Sequence, residues 1–446
     1  MKLTSITACL PLLFATSACA AEQSPDWNSL LTNKPQVKLP APLPKVEWRP
    51  RLAPALKLAK ETGRPLFVTF RCLSCKQCAD FDKSVLEGGP ELNPLLSQFV
   101  TVRITNAEHI DRRLFPFEGY QDLDLSWWRY LLSSDGELYG IFGGRDDVSV
   151  KTRISVKALA NTLQRVLNHH YDPKRAQWNV DGPKPDPSAK YVPNYKLPGF
   201  KSWAKRQREK VGCMHCHHVV EVLGQDKIDR GTFDKKRDLQ MWPLPENVGI
   251  VLDRDHGLLV KSVKTGGPAA NAGIQAGDVL GAANNTRLYG QADFRGVLHR
   301  GPKGDGEISV HWLRDGKVMH GKLRVKDGWR KTSLNWRMSV SQGNIGAGPG
   351  GFFPLRVNDG QRKRLGIKPG SMAIEPFMGK KQTQFPAHKA GLRRNHVITA
   401  VNGESPDLIG RAFLVWFRLK FSPGDKVTLT VLDGAGKKRN VSYTLK

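Results

Sequence analysis

The fold turns on Leu66-Phe67-Val68-Thr69-Phe70-Arg71-Cys72-Leu73-Ser74-Cys75-Lys76-Gln77-Cys78-Ala79-Asp80-Phe81. Its first five residues are a short apolar strand, and from Cys75 to Val85 the pattern changes to a helical period with Phe81 and Val85 on one face. A strand that runs straight into a helix headed by cysteine sets the thiolate beside the positive end of the helix dipole. That lowers the thiol pKa and activates it for exchange. Spacing of i, i+3 brings two sulfurs close without closing a long loop, and two pairings satisfy it: Cys75 with Cys78, and Cys72 with Cys75.

Outward from this stretch, residues 55–60 read as a helix stopping at Gly63, and 99–104 as a second strand. Residues 129–132 and 139–142 form a hairpin through Asp135-Gly136, and 155–169 form an amphipathic helix. The order is helix, strand, cysteine-headed helix, strand, hairpin, helix, an α/β domain over 51–172. With Phe67 to Phe70, four residues, and then Cys75-Lys76-Gln77-Cys78, the segment resembles the thioredoxin superfamily. Ala79-Asp80-Phe81-Asp82-Lys83 is similar to the continuation in the thioredoxin-like domain of bacterial membrane thiol reductases. The resemblance implies that Cys75 is the exposed nucleophile and Cys78 the resolving thiol, with Cys72 a third exchange partner. It departs from the pattern twice: Thr69 stands where a buried acid is usual, and no proline stands near Ser126-Trp127-Trp128, where a cis-proline normally docks the substrate backbone.

Upstream, Met1-Lys2, an apolar run over 6–15 and Ala18-Cys19-Ala20 have the three parts of an export signal over 1–20. Lipoprotein attachment at Cys19 is the lesser alternative. Export predicts a periplasmic or secreted protein. Residues 21–50, rich in proline, read as an extended leader. Two of the seven cysteines fall in the signal; the rest form two tight clusters, which point to redox or ligand sites rather than structural staples.

Downstream, a Pro/Asp/Lys-rich linker over 173–199 leads to a small helical module at 200–244 carrying Cys213-Met214-His215-Cys216-His217-His218. Two thiols and an adjacent histidine at this spacing are the attachment pattern of haem c, with His217 as the iron ligand. Met241 is the natural sixth ligand, His218 or His256 the alternatives. Other readings are a zinc or copper site using Cys213, Cys216 and one or two of His215, His217 and His218, or a disulfide.

Two later segments share a grammar. Val248-Gly249-Ile250 leads to Gly273-Ile274-Gln275-Ala276-Gly277-Asp278-Val279-Leu280, and Leu365-Gly366-Ile367 leads to Gly391-Leu392-Arg393-Arg394-Asn395-His396-Val397-Ile398. They resemble PDZ domains of the bacterial exported type, at 245–326 and 355–446, joined by a Gly-rich connection over 327–354 whose 341–351 stretch is expected to be mobile. The resemblance implies that each apolar-Gly-apolar turn binds a terminal carboxylate while the next strand edge accepts a peptide. Gly277 permits a positive-φ turn, and Asn395 is expected to replace it in the left-handed region.

With 446 residues, 39% hydrophobic content and 25% charge, the chain is globular and multidomain: α/β at the N-terminus, a short helical module, then two mainly β domains. Its net charge of +28 favours acidic partners or an anionic membrane surface. No aromatic-basic interleaving marks a nucleic-acid platform, so none is expected to bind. No Gly-x-Ser-x-Gly or His-Glu-x-x-His motif supports a protease. Taken together the pieces resemble a bacterial family of exported thioredoxin-like/PDZ proteins, some with selenocysteine in the redox motif. That resemblance implies a thiol-disulfide redox head with a redox partner protein, and a tail that binds polypeptide C-termini or exposed strands. The alternatives are a non-catalytic scaffold and a haem or metal electron-transfer protein.

Overall fold

The computed structural model describes residues 25–71, 79–80, 82–86, 89–105, 120, 122–124, 129–145, 153–183, 192–207, 215–341, 347–380 and 382–446. The signal segment, Cys72, Cys75, Cys78, Cys213 and the 126–128 segment therefore lie outside the described residues.

The N-terminal sheet has the order β2-β1-β3-β4, with β1 Leu66–Phe70, β2 Val100–Ile104, β3 Arg129–Leu132 and β4 Leu138–Phe142. β1 and β2 are parallel and the other pairs antiparallel. A parallel pair needs a crossover, and the chain between β1 and β2 is the one that carries the cysteine cluster. Side-chain alternation splits the apolar residues between two faces. Leu66, Val68, Phe70, Val102 and Tyr130 face helix α1 (Leu52–Thr62), which ends on Gly63 in the left-handed region. Phe67, Leu131 and Tyr139 face α2 (Val156–His170), which is capped by Ser155.

Three expectations about the connections are corrected. The leader is not a free linker: the short helix Trp27–Thr32 buries Trp27 and Leu30 beside Trp178, Val180 and Ala282, and Arg49 bridges to Val102 on the open edge of β2. In the 173–199 stretch, Gly182 and Pro183 exchange backbone hydrogen bonds with Leu138, covering the edge of β4. Within the 200–244 module, α3 (Phe200–Gln207) and α4 (Cys216–Asp229) place Phe200, Trp203, Val219 and Val222 in the same core as β1 to β3. A stretch this short cannot bury a core of its own, so it completes the cover of the sheet face begun by α1. The connection over 327–354 is packed ahead of its Gly-rich stretch, where Trp336, Arg337, Ser339 and Val340 are buried.

The first C-terminal domain pairs β5 (Ile250–Leu252) with β6 (Val260–Val263). Its second sheet runs β10-β9-β7-β8, from β7 (Val279–Ala283), β8 (Thr286–Arg287), β9 (Gly306–Arg314) and β10 (Lys317–Val325). Helix α5 (Gln291–Arg300) follows β8. The second domain has one sheet, β11 (Phe353–Arg356) to β15 (Lys438–Thr444) in sequence order, through β12 (Ile374–Phe377), β13 (Val397–Val401) and β14 (Lys426–Leu432). Helix α6 (Gly410–Lys420) lies between β13 and β14.

The domains are locked by buried polar groups. Asp293 of α5 accepts from the backbone N–H groups of Ile141 on β4, Tyr289 and Gly290 at 2.7–2.9 Å. Burial pushes its carboxyl up to about 6. Arg337 holds Asp122 in a two-point contact at 2.8 and 2.9 Å, Arg295 of α5 reaches the same carboxylate at 3.2 Å, and Asp124 takes the N–H of Ser339 at 2.9 Å. All five residues are buried. No helix among the described residues is long and apolar enough to cross a membrane.

Candidate functional site

The sheet presents one charged end. Thr69 of β1 stands level with Arg103 of β2 and Arg129 of β3, and Arg71 follows with its N–H on the Ile104 carbonyl. Asp82, on the segment after the cysteine cluster, enters this row of guanidiniums. Its carboxylate lies 3.3 Å from Arg71 Nε, 3.5 Å from Arg103 Nε and 3.7 Å from Arg129 Nη2. Asp82 and Arg129 are buried, and Arg103 stacks on Trp48 at 4.3 Å. The acid absent at Thr69 is thus matched by an acid four residues beyond Cys78. Among the described residues, three guanidiniums thus gather around one buried carboxylate at the end of the sheet that leads to Cys72. Sequence reasoning missed this cluster. Its only signal was an arginine at or just beyond the edge of each of three apolar strands, because nothing in one strand's sequence reveals the row formed across them.

The head of α4 gathers a second group. His217 Nδ1 donates to Glu221 Oε1 at 3.0 Å, and Trp203 Nε1 of α3 donates to Glu221 Oε2 at 2.9 Å. The His215 N–H donates to His218 Nδ1 at 3.2 Å. The rings of His217 and His218 are 4.3 Å apart, and Trp203 packs on His218 at 5.0 Å. Burial, with His217 and His215 nearby, lowers His218 to about 4. Cys216, half-buried, packs on the apolar face that includes Tyr130. His217, His218 and Glu221 each offer a ligand atom within 4.8 Å of the others. Glu221 was not foreseen, although its i, i+4 spacing from His217 was legible.

The suggested axial ligands part company. Met241 is buried among Leu239, Trp242, Val340 and Val415, an apolar cluster that accounts for it by packing. His256 Nδ1 accepts from the Leu259 N–H, and the ring meets Arg165 of α2, on the sheet face opposite α4. His218 stands beside His217, with ring centroids 4.3 Å apart.

In the first C-terminal domain, Val248-Gly249-Ile250 leads into a short strand. Gly249 is left-handed and β5 begins at Ile250. Among the described strands β5 pairs with β6 alone, leaving its other edge unpaired, and Val251 is exposed. Arg153 connects this turn to α5, binding Glu246 at 2.9 Å while its carbonyl accepts from Gln291.

The second copy differs. Leu365-Gly366-Ile367 closes the helical turn Asp359–Arg364: Gly366 is left-handed, and the Ile367 N–H returns to the Arg362 carbonyl. The strand that pairs with β12, as β5 pairs with β6, is instead β11, and the glycine-aromatic turn before it is Gly350-Gly351-Phe352. Phe385 lies over Gly351 and Tyr443 over Gly350. Asn395 is not left-handed, contrary to expectation. His396 Nδ1 instead accepts the Arg393 N–H at 3.1 Å, as Asp278 accepts the Gln275 N–H at 2.7 Å. Side-chain acceptors at equivalent positions hold the two turns.

Residues 47–121 match the thioredoxin-like family and residues 236–325 the PDZ domain family. The chain is a multidomain protein with a thioredoxin-like domain and a PDZ domain. A probable periplasmic serine endoprotease, DegP-like, of Pseudomonas savastanoi pv. phaseolicola is 33% identical over 42% of this chain and 37% of its own length. The protein described in the same words from Pseudomonas fluorescens is 29% identical over 36% and 32%. The chain thus spans about a third of the length of these curated relatives. The HtrA-type protease AlgW with a decapeptide superposes at a TM-score of 0.19, with 18% identity, over 30% of this chain and 39% of that one.

Proposed function

We propose that the protein is an exported thiol-disulfide redox protein whose PDZ groove holds a partner polypeptide near the thiols. The observation that carries the reading is the row of Arg71, Arg103 and Arg129 around buried Asp82, at the strand ends beside the cysteine segment. Positive charge in a low-dielectric setting favours a thiolate. The Cys75 thiolate attacks a substrate disulfide, breaking its S–S bond and forming a mixed disulfide; the substrate's first sulfur leaves as thiolate. The Cys78 thiolate then attacks the Cys75 sulfur and releases the second substrate thiolate. Two electrons pass to the substrate, and a Cys75–Cys78 disulfide remains. The partner's C-terminus or an extended segment adds to the unpaired edge of β5, which raises its local concentration at the thiols. The periplasmic relatives support export, and the sequence similarity to DegP-like proteins supports peptide binding.

Trapping tests this. Cys78→Ser in the native host is expected to accumulate mixed disulfides through Cys75. If Cys75→Ser reduces a test disulfide at the parental rate, the reading fails, since Cys75 belongs to both pairings; if Cys78→Ser keeps that rate and Cys72→Ser loses it, Cys72 with Cys75 is the pair.

A second reading concerns α4: its head is a cofactor site, haem c being what Cys213, Cys216 and His217 imply. His217 fits such a role, because Glu221 holds Nδ1 and leaves Nε2 as a ligand atom. Bound haem would supply one-electron transfer. Glu221 would orient the ring and raise its basicity.

A further inference from the structure

We propose that His217, His218 and Glu221 form a binding site for a divalent transition ion of the zinc type. The inference rests on the reading of the α4 head as a cofactor site, and it assigns that site an ion held by imidazole and carboxylate in place of a porphyrin. Two imidazoles and one carboxylate are a donor set that zinc takes with nitrogen and oxygen ligands about 2.0–2.2 Å away. At that radius tetrahedral ligands stand about 3.4 Å apart. The His217–Glu221 pair is already at 3.0 Å and all three ligand atoms lie within 4.8 Å, so the set closes by rotamer adjustment of roughly an ångström.

The ion enters where a proton now lies. It replaces the hydrogen that His217 Nδ1 donates to Glu221 Oε1, and the ring, neutral throughout, carries its proton on Nε2 instead. Glu221 is held ready as a ligand, since the carboxylate is buried and its second oxygen is fixed by Trp203 Nε1 at 2.9 Å. Trp203 is itself buried in the core shared with the N-terminal sheet. The support of the site is therefore rigid. The same packing disfavours a flat macrocycle, because the His218 ring lies 4.3 Å from His217 and Trp203 backs it at 5.0 Å.

The test uses the full chain, stripped with a chelator and dialysed against Zn²⁺ or Co²⁺. One equivalent is expected to depend on these residues. His217→Ala, at a partly exposed ring, and Glu221→Gln should each weaken it at least tenfold, with circular dichroism reporting that both variants are folded. Co²⁺ should give a visible d–d band without the sulfur-to-metal charge transfer that marks binding at a cysteine cluster. Cys216→Ser should take up the ion, since the thiol is not one of its ligands. Three results overturn the proposal: covalently attached haem on the native protein, which leaves the cofactor reading standing; no bound ion and no haem, which ends both; or uptake indifferent to His217→Ala and Glu221→Gln.

Discussion

Asp82 shows how one side chain sets the chemistry around it. A carboxylate and three guanidiniums meet at the sheet end that leads into the cysteine segment, so under the proposed dithiol chemistry these charges should tune the couple. Arg129→Met is expected to make the dithiol more reducing, by about 30 mV for each tenfold change in its equilibrium constant, and Asp82→Asn to shift it the other way. Glutathione-buffered equilibration reads both; shifts of equal sign would contradict an electrostatic origin. His170 is the counterpart on α2. It donates from Nε2 to the Gly63 carbonyl, accepts from the Tyr139 hydroxyl at Nδ1, and burial lowers it to about 4. The native state excludes a proton that the unfolded chain binds below its ordinary pKa near 6.5. Stability contributed by this group is thus present above that value and lost as pH falls toward 4, by up to about 3 kcal/mol. Denaturant titrations at pH 7 and 4.5 should show a smaller loss for His170→Gln than for the parent.

Elements were legible where a local pattern sufficed. The β1 run, the Gly63 stop, the Asp135-Gly136 hairpin and the Ser155 cap all stand close to where their residues point. What escaped was pairing across distance. Leu365-Gly366-Ile367 has the composition of a carboxylate turn, yet a glycine after a short helix is equally a C-cap, and only the partner of β12 decides between them. Likewise α4 reads as a linker helix until its Val219 and Val222 are seen beneath the sheet. The glycine turns of the two C-terminal domains consequently differ, since Phe385 and Tyr443 cover that of the second. Peptide capture is therefore predicted to reside in the first domain. A Val251→Glu change on exposed β5 should weaken binding of a peptide library about tenfold or more, while Leu355→Glu on β11 leaves it within twofold. The reverse ranking by fluorescence anisotropy would contradict the assignment.

Across the whole molecule, the thioredoxin-like domain and the PDZ domain are tied together by buried charge. Asp122 belongs to the N-terminal domain, Arg295 to α5 and Arg337 to the chain between the two C-terminal domains, and their charges meet out of water. Removing one partner of such a group strands buried charge. Arg337→Ala should cost about 3–5 kcal/mol and open the interdomain contact to proteolysis. Asp293 adds a pH term of known sign. Its carboxyl, raised to about 6, keeps a proton in the folded state that the unfolded chain has lost, so its contribution to docking weakens as pH rises from about 4 to 6. None of this network was visible in the sequence, because each charge lies in a different domain. The charge at the sheet end remains the centre of the account. It is tested most directly by the pH dependence of Cys75 alkylation in the full-length reduced chain, followed by mass spectrometry of that peptide. The account predicts a midpoint at least about one unit below the 8.5 of an unperturbed thiol; a midpoint at or above that value would contradict it.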